Sequence, residues 1–158
     1  MFLVAGISVK AGFISLGCSK NLVDTEVMLG ILQQHGIELT ANPAEADILI
    51  VNTCAFIQSA KEESITTILN MAEYKESGRC RSLIVAGCLG QRYKQDLLDE
   101  IPEADAIIGT GAWGRIMEAV EETLKGHRLV IAGKDEALYD EHTPRITTTP
   151  SYTAYVKI

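Results

Sequence analysis

Two tetrapeptides without a polar position, "ILIV" at 48–51 and "LIVA" at 83–86, restrict the fold of this chain more than any other feature. A strand sends alternate side chains to opposite faces. When every one of them is apolar, both faces must be covered, which is the situation of a parallel sheet flanked by helices.

The intervening segments carry helical spacing. Val23, Val27, Gly30 and Ile31 recur on one face, and Gly36 stops that run. Ser59 and Glu62 form a candidate capping box ahead of Ile65, Ile68, Leu69 and Ala72, in a helix predicted to end near Ser77-Gly78. Tyr93, Leu97, Leu98 and Ile101 mark a third helix closed by Pro102. Trp113, Ile116, Val120 and Leu124 mark a fourth, ending at Gly126. Further short strands are expected at Phe13–Leu16, in "GIELT", at Ala106–Ile108 and in "RLVIAG".

This alternation predicts an α/β fold, a flavodoxin-like three-layer structure with a parallel sheet and helices on both faces. The common strand order for such a sheet is 2-1-3-4-5. A chain of 158 residues is long enough for one such core. Beyond about Ala137 the sequence "DEHTPRITTTPSY" is rich in Thr and Pro and reads as a linker, and "AYVKI" reads as the opening of another strand.

Three of the four cysteines come just after predicted strands: Cys18 after "FISLG", Cys54 after "ILIVNT" and Cys88 after "LIVAG". The strands of a parallel sheet all end along one edge, and separations of 36 and 34 residues allow one crossover and return each time. With strands one, three and four adjacent at ~4.8 Å spacing, the thiols span roughly 10 Å. That suits one small inorganic centre and no evident disulfide pair. Gly17 and Gly87 let the backbone approach a bulky ligand, while Asn52 and Thr53 offer hydrogen bonds to thiolate sulfur. Small residues at any one of these turns only tighten a corner; three such turns together favour a site.

Cys80, in "ESGRCRS", precedes its strand and is expected at the opposite edge, with no role at the site. Asn21 is best read as a cap of its helix. Gln91 and Arg92 fit a helix surface as well as they fit the site. No C-x₂-C pair is present, and His35, His127 and His142 stand in positions typical of surface residues. Thiolates alone suit iron–sulfur chemistry, and three of them on a four-iron cluster leave one iron open to a substrate atom.

The net charge of −7 argues against nucleic-acid binding by this chain itself. No apolar run reaches bilayer-spanning length, and "MFLVAGISVK" lacks a basic leader region, so a cytoplasmic protein with free or ligating thiols is expected.

"SLGCSKNLVDTE", "VNTCAFI" and "VAGCLGQRY" resemble the three cysteine segments in the N-terminal domain of methylthiotransferases, and "TPRITTTPSYTAYVKI" resembles the stretch leading out of it. The resemblance runs from about Gly12 to Ile158, and residues 1–11 carry none. It implies a cluster-binding domain over 12–136 and a linker over 137–158 toward a radical S-adenosylmethionine domain. It also implies that Cys18, Cys54 and Cys88 bind an auxiliary 4Fe–4S cluster whose open iron holds the sulfur to be transferred. A second 4Fe–4S cluster and S-adenosylmethionine belong to the following domain in this family. Its C-x₃-C-x₂-C motif is absent here, so the chain is expected to be inactive alone.

"GCSKNLVDTE" is more similar to the branch that methylthiolates an aspartate of a small-subunit ribosomal protein than to the transfer-RNA adenosine branch. Two other readings stay open. "GTGAWG" at 109–114 invites an anion- or nucleotide-binding module, although Gly109, Gly111 and Gly114 also suit a tight turn. Cys18 as a thiol nucleophile would need an activating partner, and Lys20 is the one candidate nearby.

Overall fold

A computed structural model describes residues 8–132 and 142–148, so "AYVKI" and most of the 137–158 stretch lie outside the described residues. The strands are β1 (Lys10–Ser15), β2 (Glu38–Thr40), β3 (Ile48–Thr53), β4 (Ser82–Gly87), β5 (Ala106–Ile108) and β6 (Leu129–Ile131). The helices are α1 (Ser19–Gln34), α2 (Gln58–Ala72), α3 (Tyr74–Ser77), α4 (Cys88–Glu100) and α5 (Ile116–Leu124). All strand pairings are parallel, in the order β2-β1-β3-β4-β5-β6. This is the expected 2-1-3-4-5 order with β6 added beyond β5.

The apolar runs divide their side chains between two cores. Ile48, Ile50, Ile84 and Ala86 face one way, with Val27, Met28 and Leu32 of α1 and Ile116 and Val120 of α5. Leu49, Val51, Leu83 and Val85 face the other way, with Ile68 of α2 and Leu89, Leu97 and Leu98 of α4. Ile48–Val51 and Leu83–Val85 are fully buried. Each such side chain contributes on the order of 1.5–3 kcal/mol relative to leaving it in water. Three layers result, as the alternation of elements predicts.

Local details differ from the sequence reading. β1 begins at Lys10, ahead of Phe13. The Ser59–Glu62 capping box does not form. α2 starts two residues earlier, at Gln58, with Ile57 as an N-cap that makes no side-chain bond, and Gln58 donates to Glu62 instead. The helical stretch toward Gly78 is divided into α2 and α3 at Glu73. α4 begins at Cys88 itself and bends at Lys94, whose φ of 45° and ψ of −120° are not helical.

The described part of the stretch read as a linker lies along α1. Ile146 N–H donates to Glu26 O at 3.0 Å, and Pro144 and Arg145 pass so close to Gly30 that a Cβ there would stand 2.8 Å from their backbone. Among the described residues, no helix is long and apolar enough to cross a membrane.

Candidate functional site

Strand register gathers the three cysteine segments. Ser15 pairs with Asn52, and Thr53 pairs with Gly87. Cys54 and Cys88 are therefore the next residues beyond one paired position, while Gly17 and Cys54 stand two residues beyond another. The side chains report the same closeness, since a Cβ on Gly17 would lie 2.7 Å from Cys54 Cβ and 3.1 Å from its Sγ.

Gly17 and Gly87 take φ values of +91° and +92°, which side-chain-bearing residues rarely adopt. These turns place Cys18 as the N-cap of α1 and Cys88 as the first residue of α4. Two of the three sulfurs thus sit at helix N-termini, where the macrodipole favours negative charge, and neither helix has an acidic residue in its first turn. Cys54 is held from the third side, because Ser64 Oγ donates to its carbonyl at 2.8 Å and accepts from its N–H at 3.0 Å.

Cys18 is exposed, and Cys54 and Cys88 are partly buried. The Cys88 thiol is pushed above its ordinary value of 9.0, mainly by burial and then by the charges of Cys54, Cys18 and Asp24. Negative charge on the other two cysteines therefore disfavours the Cys88 thiolate. A bound cationic centre would relieve that repulsion and hold the thiols as thiolates.

Among the described residues, no group of three or more His, Cys, Asp or Glu has the geometry to hold one metal ion. A single zinc would draw every sulfur to within about 2.3 Å of one point. A cluster instead takes one cysteine per iron, and an all-thiolate donor set is the kind that iron–sulfur centres use.

Polar residues knit the loops from beneath. Asn21 makes no cap bond; its Nδ2 donates to Leu16 O at 3.1 Å and to Thr53 O at 2.8 Å. Asn52 Nδ2 donates to Asn21 O and to Thr25 Oγ1, while Thr53 Oγ1 donates to Ala86 O. Arg92 reaches back across the Cys54 loop to Ala55 O at 3.4 Å. Gln91 turns toward Gly109, its Oε1 buried and without a hydrogen-bond partner among the described residues.

Phe56 and Ile57, just past Cys54, are largely exposed beside the thiols. Sequence spacing alone gives no signal for them or for the Asn21 bonds. Cys80 is buried at the opposite edge, where its thiol donates to Ser82 O and desolvation raises its pKa. In the 109–114 loop, the Gly109 N–H is already donated to Ile131 O and Trp113 is buried, so this loop is a turn. His35 bonds Ile31 O and His127 pairs with Glu122, both away from Cys18.

Residues 10–109 match the family described as Uncharacterized protein family UPF0004. Among curated proteins, the chain is similar to ribosomal protein uS12 methylthiotransferases RimO. The protein of Pelotomaculum thermopropionicum is 52% identical over 152 residues, which cover 96% of this chain and 34% of that relative. The one of Desulforamulus reducens is 57% identical over 148 residues, 93% of this chain and 33% of the relative. That of Heliobacterium modesticaldum is 51% identical over 163 aligned residues, 100% of this chain and 35% of the relative. The chain thus spans about a third of the length of these proteins.

Proposed function

Because the chain belongs to the UPF0004 family, as a RimO-like methylthiotransferase N-terminal domain, we propose that Cys18, Cys54 and Cys88 bind an auxiliary 4Fe–4S cluster. The observation that supports this reading is the register that brings the three cysteine segments to the C-terminal edge of β1, β3 and β4. When bound, such a cluster supplies an iron without a protein ligand, able to hold the sulfur for transfer. The chain's own residues ligate through the cysteines and stabilise negative charge through the α1 and α4 N-termini, while Gly17 and Gly87 let the cysteine loops pack closely on one another.

The proposed cluster domain covers 12–136, and 137–158 leads toward a radical S-adenosylmethionine domain that carries the second 4Fe–4S cluster. In the full-length enzyme the substrate would be an aspartate of ribosomal protein uS12, in keeping with the names of the relatives and with a cytoplasmic location. The chain alone lacks the radical-generating motif and is expected to be inactive. Its acidic balance gives no support for direct nucleic-acid binding.

The test is anaerobic reconstitution of the chain with iron and sulfide. About four irons per chain are expected, lost in Cys18→Ala, Cys54→Ala and Cys88→Ala and retained in Cys80→Ala. A parent chain without iron, or a dependence on Cys80, would overturn the assignment.

A further inference from the structure

We propose that Asn21 is a positioning residue, tying the three cysteine loops into one ligand mouth. Its side chain is 3% exposed and touches all three loops. One amide hydrogen goes to Leu16 O, two residues before Cys18, and the other to Thr53 O, one residue before Cys54. Both carbonyls can only accept, so the amide orientation is fixed and Oδ1 is turned to the third loop. There it accepts weakly from the protonated Cys88 thiol at 3.9 Å, a contact of the metal-free chain that ends when the sulfur becomes a thiolate.

Nor can the residue shift. Its own carbonyl accepts from Asn52 Nδ2 at 2.8 Å, and its Nδ2 packs against Gly17, where a Cβ would approach to 3.2 Å. Neither α1 nor the sheet needs these bonds for its backbone pairing, because Asn21 lies inside α1 and both acceptors are loop or strand-end carbonyls. What they fix is the spacing of three sulfurs. That role rests on the proposed cluster site for its purpose, but the tether itself exists in the metal-free chain.

The experiment uses the metal-free 158-residue chain with Cys80→Ser, treated with dibromobimane, which fluoresces strongly once two neighbouring thiols capture both its arms. The parent chain is expected to cross-link, and mass spectrometry to place the bridge among Cys18, Cys54 and Cys88. Asn21→Ala removes the tether, and Asn21→Asp sets acceptors against two carbonyls; each should lower the yield several-fold while the cooperative melt is kept. In iron-loaded chains, Asn21→Asp should also shift the electron paramagnetic resonance spectrum or the reduction potential, which a purely structural role would not move.

Parental cross-linking in a folded Asn21→Ala chain would overturn the proposal. So would loss of the cooperative melt in both variants, because Asn21 would then hold the fold instead of the thiols. A parent that cross-links but takes up no iron would overturn the cluster reading, while the cross-linking comparison would still decide the role of Asn21.

Discussion

At Gly87 the backbone turns with φ +92°, and a Cβ would stand 2.6 Å from Thr53 O and closer still to Asn52 Oδ1. The left-handed conformation and the clash act together, and neither neighbour is free to move. Thr53 O already accepts from Asn21, and Asn52 is bound to Asn21 O and Thr25. Gly87→Ala is therefore expected to cost about 3 kcal/mol, strain and overpacking combined, read from urea melts of the metal-free chain. A loss below about 1 kcal/mol would show that the turn relaxes and that the close packing here is not needed. Cys54, Cys88 and Gly87 are legible in the sequence because they follow the apolar runs of β3 and β4, whereas Cys18 and Gly17 follow β1, a strand that includes Ser15 and is only partly buried. Asn21 is not legible in the same way. Its side chain bonds Thr53, 32 positions away, and no local pattern separates that use from a helix cap.

The element that ties this site to the rest of the chain is α1. Its N-terminus carries Cys18, and at mid-length its fully buried Glu26 accepts from Arg145 Nε at 2.8 Å and from Thr148 Oγ1 at 3.1 Å. The Arg145 side chain is 26% exposed, so the pair is largely shielded from water. Arg145→Ala would leave a buried carboxylate without its cation, and a loss of about 3 kcal/mol is expected, at the low end for broken buried pairs. Adding Glu26→Gln should recover part of that loss. A double-mutant cycle on urea melts checks this, and additive effects would show that the two groups do not interact. Sequence reading places α1 and its core residue Val27, since 3.6-residue spacing is a local property, but on the same face Gly30 meets Pro144 and Arg145, and Met28 and Leu32 complete the core contact. It misses the Glu26 clamp because Arg145 lies 119 positions away. The capping box at Ser59 fails because α2 begins two residues early, at Gln58, which puts Ser59 inside the helix. The bend at Lys94 leaves no mark in the sequence, where one unbroken apolar spacing runs from Tyr93 to Ile101.

At the scale of the fold, the two apolar cores of the described residues are built from packed side chains. β3 and β4 are buried along their full lengths, and the cores on either side of them are built from aliphatic side chains of α1, α2, α4 and α5. Cys18 and Cys54 lie past the strand ends, outside that packing, while Cys88, the first residue of α4, packs against the rim of one core. This is the reverse of a zinc finger, whose folding free energy is its metal-binding free energy. Once the chain is loaded with iron, stripping the iron with a chelator should leave the far-UV spectrum and the cooperative melt in place. Amide exchange should show the same pattern. Protection in β3 and β4 should stay at the level set by global unfolding, with losses confined to residues 16–22, 53–57 and 87–92. Edge strands β2 and β6, three residues each, should exchange early in both states. Loss of the cooperative melt on stripping would mean that iron holds the layers together, and the sheet could then no longer be regarded as a scaffold preformed to present three thiols at one edge.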